Sequence, residues 1–496
     1  MRVKSLVLAM FAVSVGGLLL TPLTSIAASP TTPAVTPTTL GALSFTDARS
    51  RAHEASDMLI SDNARVARAQ YEADASRSLH GPKIDLSLKQ VWGTKTMHLD
   101  ASDASADVGA RLAGSVAALP PTIKPLAGAM MQGIAHQLSG LSFDIRTKLD
   151  GPRLSLDAVW PLYTGGLVEA EIAHRQGAVR ETEAERDMRL TQSDAQLAVK
   201  YWGVQLARSI EALRQSALTD TEDELHKAER YEARGLISKV ERLAVEVARD
   251  KAKREYRTAQ TNRAVAEREL AQALRVETLP ALTTPLFILT GDLGTLSSWE
   301  AKATAQSPVL RRLAALHDQA NEGVNAAKAD FKPKLFAFGS RNLIKHYLSI
   351  TEPDWIAGVG ITFTLWSDRD RSSKLRAAQS LVDAAHAARN EAQSQLASAV
   401  EVAFLKANDA RDEYLLTESN VKLAAENLRL RQKAFAEGLS SANDVDIART
   451  QYLAAEVSRR LAAYQFICQW ALLNASAGDF DAFGSSLTRT DRQDVH

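Results

Sequence analysis

The chain has 496 residues, with 59 Lys and Arg balanced by 59 Asp and Glu, and a single cysteine, Cys468. Balanced charge removes the electrostatic case for nucleic acid as a partner, and one cysteine excludes an intrachain disulfide. After the N-terminal segment no run of about 18 apolar residues occurs, so an ordinary transmembrane helix is excluded and a membrane crossing would need a β-barrel.

Arg2 and Lys4, the apolar run Ser5–Leu20 and the small residues ending at Ala27 and Ala28 are the charged, hydrophobic and cleavage regions of a secretory signal peptide, assigned to 1–28. The mature chain is therefore expected to be exported. A Pro/Thr-rich linker, 29–42, follows and is too poor in apolar surface to fold.

The rest of the chain repeats itself. WPLYTGG at 160–166 recurs as FTLWSDR at 363–369, and GLISKVERL at 235–243 recurs as GLSSANDVD at 438–446, both displaced by 203 positions. HGPKIDLSLK at 80–89 pairs with FKPKLFAFGS at 331–340 at an offset of 251, so the first copy carries about 48 extra residues between its strands. The first repeat is read as 43–278, with strands at 82–93 and 141–163 and a loop insertion at 94–140. An irregular equatorial segment, 279–298, precedes the second repeat, 299–478, with strands at 333–345 and 354–366. A flexible C-terminal tail is expected over 479–496.

Each repeat reads helix, strand, strand, long helix, turn, helix. From Gly166 to Arg230 no proline interrupts a run of good helix formers. Its apolar positions make two stripes: Ala184, Met188, Ala195, Ala198 and Trp202, then Leu190, Leu197, Tyr201 and Val204. The second long helix, 372–437, carries Leu396, Ala399, Ala403 and Ala410. Two seams on a rod imply two neighbours, in a closed ring of helices or a plain antiparallel bundle.

The strands alternate with period two. Trp355, Val359, Ile361 and Phe363 share one parity, and the displacement by 203 puts Leu154, Leu156 and Trp160 on the same face, so these seven are expected to face lipid. In the strand at 333–345 both parities are apolar, leaving its facing open. Four strands cannot close a barrel, for which about eight is the minimum. A barrel would have to be shared between chains, and a trimer supplies twelve strands. The insertion at 94–140 belongs at the strand tips outside the cell, as a surface loop or a lid.

In this order the residues resemble the TolC-type outer-membrane efflux proteins, over Leu43 to Ala477. The marks are the strand ends Pro161-Leu162-Tyr163 and Leu365-Trp366, the strand-opening prolines Pro82 and Pro333, and two Gly-Leu turns with an acidic residue six positions on. The resemblance implies a mainly α fold with a membrane β-barrel: a homotrimer whose twelve-stranded barrel continues as a twelve-helix periplasmic α-barrel. It implies a passive export conduit in the outer membrane with a periplasmic extension, working in a tripartite efflux or type I secretion system. The partners implied are a periplasmic adaptor (membrane fusion) protein and an inner-membrane transporter, with outer-membrane lipid around the barrel. It also implies that Asp444 rings the periplasmic gate and that Glu241 is a gating acid. Ile447 stands where the family has a second ring aspartate, and Asp446 is its substitute.

The turns carry a physical argument of their own. Gly235 and Gly438 suit a left-handed helix cap followed by Leu236 and Leu439, and these four residues are the expected adaptor contact. Asn443 and Asp444 suit N-caps, so Asp444 reads as a cap, a ring residue, or both. The scattered histidines, His53 among them, read as solvated helix residues, and no phosphate loop, nucleophile elbow or CxxC occurs. No enzyme activity, cofactor, metal or nucleic acid is expected. The rival reading from another class is a non-channel trimeric coiled-coil structural protein of the cell envelope.

Overall fold

A computed structural model of the chain describes residues 42–100, 124–138, 142–148, 150–345 and 353–495. The expected signal peptide, nearly all of the linker and residues 101–123 of the insertion lie outside the described residues. All elements below belong to the unit Leu43–His496.

The first half runs α1 (Phe45–Ala55), α2 (Asp57–Arg77), β1 (Lys83–Val91), β2 (Thr94–Asp100), α3 (Lys124–Leu138), β3 (Ser142–Lys148), β4 (Gly151–Tyr163), α4 (Leu167–Ala233) and α5 (Lys239–Leu274). The second runs β5 (Leu286–Leu289), α6 (Leu296–Gln306), α7 (Pro308–Ala329), β6 (Lys334–Asn342), β7 (Trp355–Thr362), α8 (Arg371–Ala436), α9 (Ala442–Ser476), α10 (Phe480–Ser486) and β8 (Arg492–Val495). Local chemistry sets the joints. Ser56 is extended, ends α1, and caps α2 by accepting from the Leu59 amide. Pro308 opens α7, where its missing N–H costs nothing.

The rods α4 and α8 have 67 and 66 residues, about 100 Å each at the helical rise. α2 and α7 flank the first half of α4, tied to it by Arg189–Asp62 at 2.9 Å and Arg180–Asp318 at 3.0 Å. α5 and α9 flank its second half, through Arg214–Glu255 at 2.6 Å and a buried Arg449–Glu224 pair. Both stripes read on α4 are thus engaged within the chain: Ala184, Leu197, Ala198, Tyr201, Trp202 and Val204 are buried, while Met188 and Ala195 are half-buried.

α8 packs on α7 and α9. Val400, Ala403, Ala407, Ala410 and Tyr414 are buried there, but Ala399 is exposed, contrary to its expected place in the seam. Leu416, Leu423 and Leu430, seven residues apart, are more than half exposed, so α8 presents a heptad stripe that no helix among the described residues covers.

The main sheet has the order β1-β4-β6-β7, antiparallel throughout, and β1 and β7 are open edges. Within the second strand, expected as one piece over 141–163, the described residues form β3 (Ser142–Lys148) and β4 (Gly151–Tyr163), and residue 149 between them lies outside the described residues. The insertion is correspondingly more than a loop: β2 and β3 pair with each other, and α3 lies between them in sequence. The other strand pair ends earlier than expected, at Asn342 and Thr362.

The largest core lies where β5 meets β8. All four residues of β5 are buried, and β5 pairs antiparallel with β8, Leu286 facing Val495. The flexible tail expected over 479–496 is overturned: Phe480, Phe483 and Val495 are 4%, 0% and 5% exposed. The Phe483 ring meets Phe45 and Trp202 edge-on, each at 5.6 Å. Two of the polar tips in this core are satisfied through backbone groups, whereas the buried Trp470 indole N–H has no hydrogen-bond partner. The Tyr201 hydroxyl donates to the Leu43 carbonyl at 2.9 Å and accepts from the Thr284 amide at 3.1 Å, and the Trp202 indole donates to the Pro285 carbonyl. Next to it Asp194, 1% exposed, is held by Arg49 at 2.8 Å and by a hydrogen bond with His53 at 2.5 Å, so His53 is tied to a buried carboxylate rather than simply solvated. Cys468 on α9 is half-buried, and burial pushes its thiol up to about 11.

Candidate functional site

The two helix tips are built alike. At the end of α4, Gly235 has φ 68°; its amide donates to the Glu232 carbonyl and the Leu236 amide to the Tyr231 carbonyl. At the end of α8, Gly438 has φ 74°, with the matching bonds to Phe435 and from Leu439 to Ala434. Both are the two-bond left-handed termination that glycine permits at lowest cost. Leu236 and Leu439 stand 66% and 78% exposed at these turns. Beneath them Leu225, Ala228, Val245 and Ala442 form a small cluster with Ile237 and Phe435, joining the two tips.

The next helices start with capping boxes. Ser238 caps α5: its hydroxyl accepts from the Glu241 amide, and the Glu241 carboxylate accepts from the Ser238 amide at 3.0 Å. Ser441 caps α9 in the same way, so the N-cap is Ser441 and not Asn443 or Asp444, which lie inside the helix. One oxygen of Asp444 accepts from the Ser441 amide at 3.1 Å, the Ser441 hydroxyl at 2.8 Å and the Ser440 hydroxyl at 3.1 Å. These donors, the Ser441 hydroxyl first, hold the Asp444 carboxyl below the usual carboxylate range. The cap they form is complete at neutral pH and is lost as pH falls through that lowered value.

Asp446, one turn into α9, faces Lys251 of α5 at 3.9 Å, and Lys251 also donates to Thr450 at 3.1 Å. All three acidic candidates therefore have a partner in their own chain, two in caps and one across the helix pair. The residues that complete them, Ser238, Ser441 and Lys251, were not singled out from the sequence. The S-x-x-E and S-x-x-D spacing, which is the capping-box signature, would have found the two serines. The Arg449–Glu224 pair spans 225 positions and has no such local signal.

Gly438 has no atom within 4 Å of where a Cβ would stand, so substitution there is penalised by backbone conformation alone. Gly438→Val is expected to cost about 1–2 kcal/mol, confined to the tip. Hydrogen exchange of the Leu439 amide reads this directly, and unchanged protection would refute it.

The sheet register sorts the strand residues onto two faces. One carries Ile84, Leu86 and Leu88 of β1, Leu154, Leu156, Ala158 and Trp160 of β4, Ala337 and Gly339 of β6, and Trp355, Ala357, Val359 and Ile361 of β7. Six of the seven residues expected to face lipid thus share one apolar face, on which Trp355, Val359 and Ile361 are 67–72% exposed. Arg341 at the end of β6, level with Leu156 and Trp355, and Gln90 at the end of β1, opposite Pro152, are polar exceptions on this face. Phe363, the seventh, lies beyond the end of β7.

The opposite face carries Lys83, Asp85, Ser87 and Lys89, then Ser155 and Asp157, then Ser340 and Asn342. The Asp157 carboxylate accepts from the Ser340 hydroxyl at 2.6 Å and from the Ser155 hydroxyl at 2.8 Å. Phe336 and Phe338 stand on this polar face opposite Gly360 and Gly358. A Cβ on Gly360 would come within 2.6 Å of the Phe336 ring, which explains why both parities of β6 read as apolar.

Among the described residues no helix is long and apolar enough to cross a membrane. Residues 299–479 match the family model Outer membrane efflux protein. No curated protein sequence matches the chain. Its fold is that of solved outer-membrane proteins of this kind. CusC, solved in the context of transmembrane channel formation, is 13% identical with a TM-score of 0.69, covering 88% of this chain and 92% of its own. VceC of Vibrio cholerae is 14% identical with a TM-score of 0.66, covering 88% and 96%. The open state of the MtrE channel of Neisseria gonorrhoeae is 18% identical with a TM-score of 0.64, covering 88% and 89%. The resemblance to TolC-type outer-membrane efflux proteins read from the sequence is borne out.

Proposed function

We propose that this chain is the outer-membrane channel of a tripartite efflux or type I secretion system, a passive conduit across periplasm and outer membrane. The observation that carries the reading is the open sheet: four strands, one apolar face exposed, and unpaired edges at β1 and β7. In lipid an unpaired edge costs several kcal/mol per group, so the sheet is stable there only when closed by copies of itself. Three copies make a twelve-stranded barrel with the apolar face towards lipid and the Lys83, Asp85, Ser87 and Asp157 face towards water. The rods repeat the logic, because β7 leads into α8, whose uncovered Leu416, Leu423 and Leu430 supply a seam for the next copy.

The Gly-Leu turns at Gly235, Leu236, Gly438 and Leu439 are then the periplasmic tip that meets an adaptor protein, which links the channel to an inner-membrane transporter. Mass measurement in mild detergent together with planar-bilayer conductance tests the reading. A conducting trimer is expected; a folded monomer that inserts into bilayers would refute it.

Asp444, repeated three times about the axis, is the proposed periplasmic ring, with Asp446 beside it and Glu241 at the neighbouring tip. Asparagine at 444 keeps an acceptor for the Ser441 amide and removes the charge. Asp444→Asn should lower cation selectivity and weaken block by trivalent cations with little change in melting temperature. Asp444→Ala should do the same and also lose the cap, about 0.5–2 kcal/mol per helix. Unchanged selectivity in Asp444→Asn would leave the residue a cap alone.

A further inference from the structure

The apolar face of the main sheet differs between its two ends. Its rungs run Ile84–Ala158–Gly339–Ala357 and then Leu86–Leu156–Arg341–Trp355, and among the paired positions of this face Arg341 is the one charged residue. Arg341 lies next to the last residue of β6 and Trp355 opens β7, whereas β4 leads into α4 and β7 leads towards α8 from their other ends. The charge therefore stands at the end remote from the rods. Gln90, the uncharged polar position, lies at that end too. At the end nearer the rods the face carries Trp160, Leu335 and Ile361, with no charge among them.

Arg341 is exposed, and among the described residues no ion pair or hydrogen bond engages its side chain. Its charged neighbours, Lys345 and Asp354, pair with each other, so the guanidinium is the uncompensated charge. All three border one open groove, together with the small Ala158 and Gly339 and the bulky Ile84, Leu156 and Trp355. Trp355 is 67% exposed, an aromatic of the kind that sits at headgroup level. A cation on a lipid-facing strand position is disfavoured at mid-membrane and tolerated near the headgroups. Snorkelling alone would serve equally at either end of the strands, so a charge confined to one end points to an anion confined to one leaflet.

We propose that Arg341 binds a phosphate of the outer-leaflet glycolipid, lipid A, with Lys345 as a second, weaker contact and an acyl chain lying in the groove over Ala158 and Gly339. This rests on the trimeric-barrel reading above, which turns this face to lipid and its far end to the cell exterior. Charge and position select the occupant. A guanidinium matches phosphate oxygens with two parallel hydrogen bonds, and the outer leaflet is where a phosphorylated sugar headgroup meets the end of β6. Trp355 belongs to the edge strand β7, so the bound lipid would lie beside the joint with the next copy.

Native mass spectrometry of the purified trimer, titrated with lipid A, tests this. The parent should take up one lipid A per protomer. Arg341→Gln should weaken uptake about tenfold, the worth of one charge-assisted contact, and Lys345→Gln should weaken it less. Lys83→Gln, on the opposite face of the sheet, removes a charge away from the groove and should bind as the parent does. Lipid A stripped of its phosphates should fail to compete, and phosphatidylglycerol should compete only weakly. The proposal is overturned if Arg341→Gln takes up lipid A like the parent. It is also overturned if the parent binds phosphatidylglycerol as tightly as lipid A, which would make Arg341 an anchor for any anionic lipid. Planar-bilayer conductance separates the two levels of failure. A conducting trimer with either of those results removes this inference and leaves the channel reading standing, whereas a non-conducting monomer in the parent removes both.

Discussion

A chain ending at Gly478 is expected to lose its folded core altogether. The deletion removes Phe480 and Phe483 from the centre of the largest cluster and strips β8 from β5. Replacing one buried phenylalanine by a smaller residue typically costs about 3–5 kcal/mol, and two such losses approach the whole stability of an ordinary domain, about 5–15 kcal/mol. The backbone groups of β5, in a strand buried at every residue, would also lose their partners. The deletion further takes away Asp479, which pairs with Lys302 at 2.9 Å, and Asp481, which pairs with Arg49 at 2.6 Å. Phe483→Ala is the graded form of the same experiment and should lower stability by about 3–5 kcal/mol while leaving every strand in place. Denaturant melts of both forms give the answer. A truncated chain with an unchanged midpoint would mean that the end of the chain contributes nothing to the core.

The second large effect is expected at Val359. Lysine there puts a charge on the apolar face of an edge strand, at a site 72% exposed in the isolated chain and, in the barrel, against lipid. A lipid-facing Lys or Arg near mid-membrane costs about 2–4 kcal/mol, and a trimer contains the site three times, so Val359→Lys should abolish assembly. Ser87→Lys is the matched control on the opposite face, among Asp85 and Asp157, and should assemble normally. The amount of trimer recovered from outer-membrane fractions measures both. Equal loss from the two substitutions would refute the facing of the sheet.

Much of this was legible in the sequence because the signals were local and came twice. The displacement by 203 positions located both tips, and alternation along Trp355–Ile361 gave a face that the register shares with Leu154, Leu156 and Trp160. The tail was misread for a physical reason. A seven-residue helix and a four-residue strand are too short to show a period, and their stability comes from β5 and Phe45, both distant in sequence. The strand at 333–345 was ambiguous for another reason: whether a phenylalanine can stand on a polar face depends on the glycine opposite it, which alternation within one strand does not reveal. At the tips, reading Asp444 for its charge hid the simpler pattern of a serine three residues before an acid.

The pairing of Phe336 with Gly360 and of Phe338 with Gly358 has a consequence for how this sheet tolerates change. Volume there is shared between two strands, so the quantity under constraint is the sum across the ladder rather than the size of either residue. A scan that varies one position at a time would score all four sites as intolerant, because a methyl group on either glycine meets a ring and a trimmed ring leaves bare backbone. Varied as pairs, with bulk moved from β6 to β7, the same sites should accept many combinations. Related sequences should accordingly exchange large for small at these two rungs in concert.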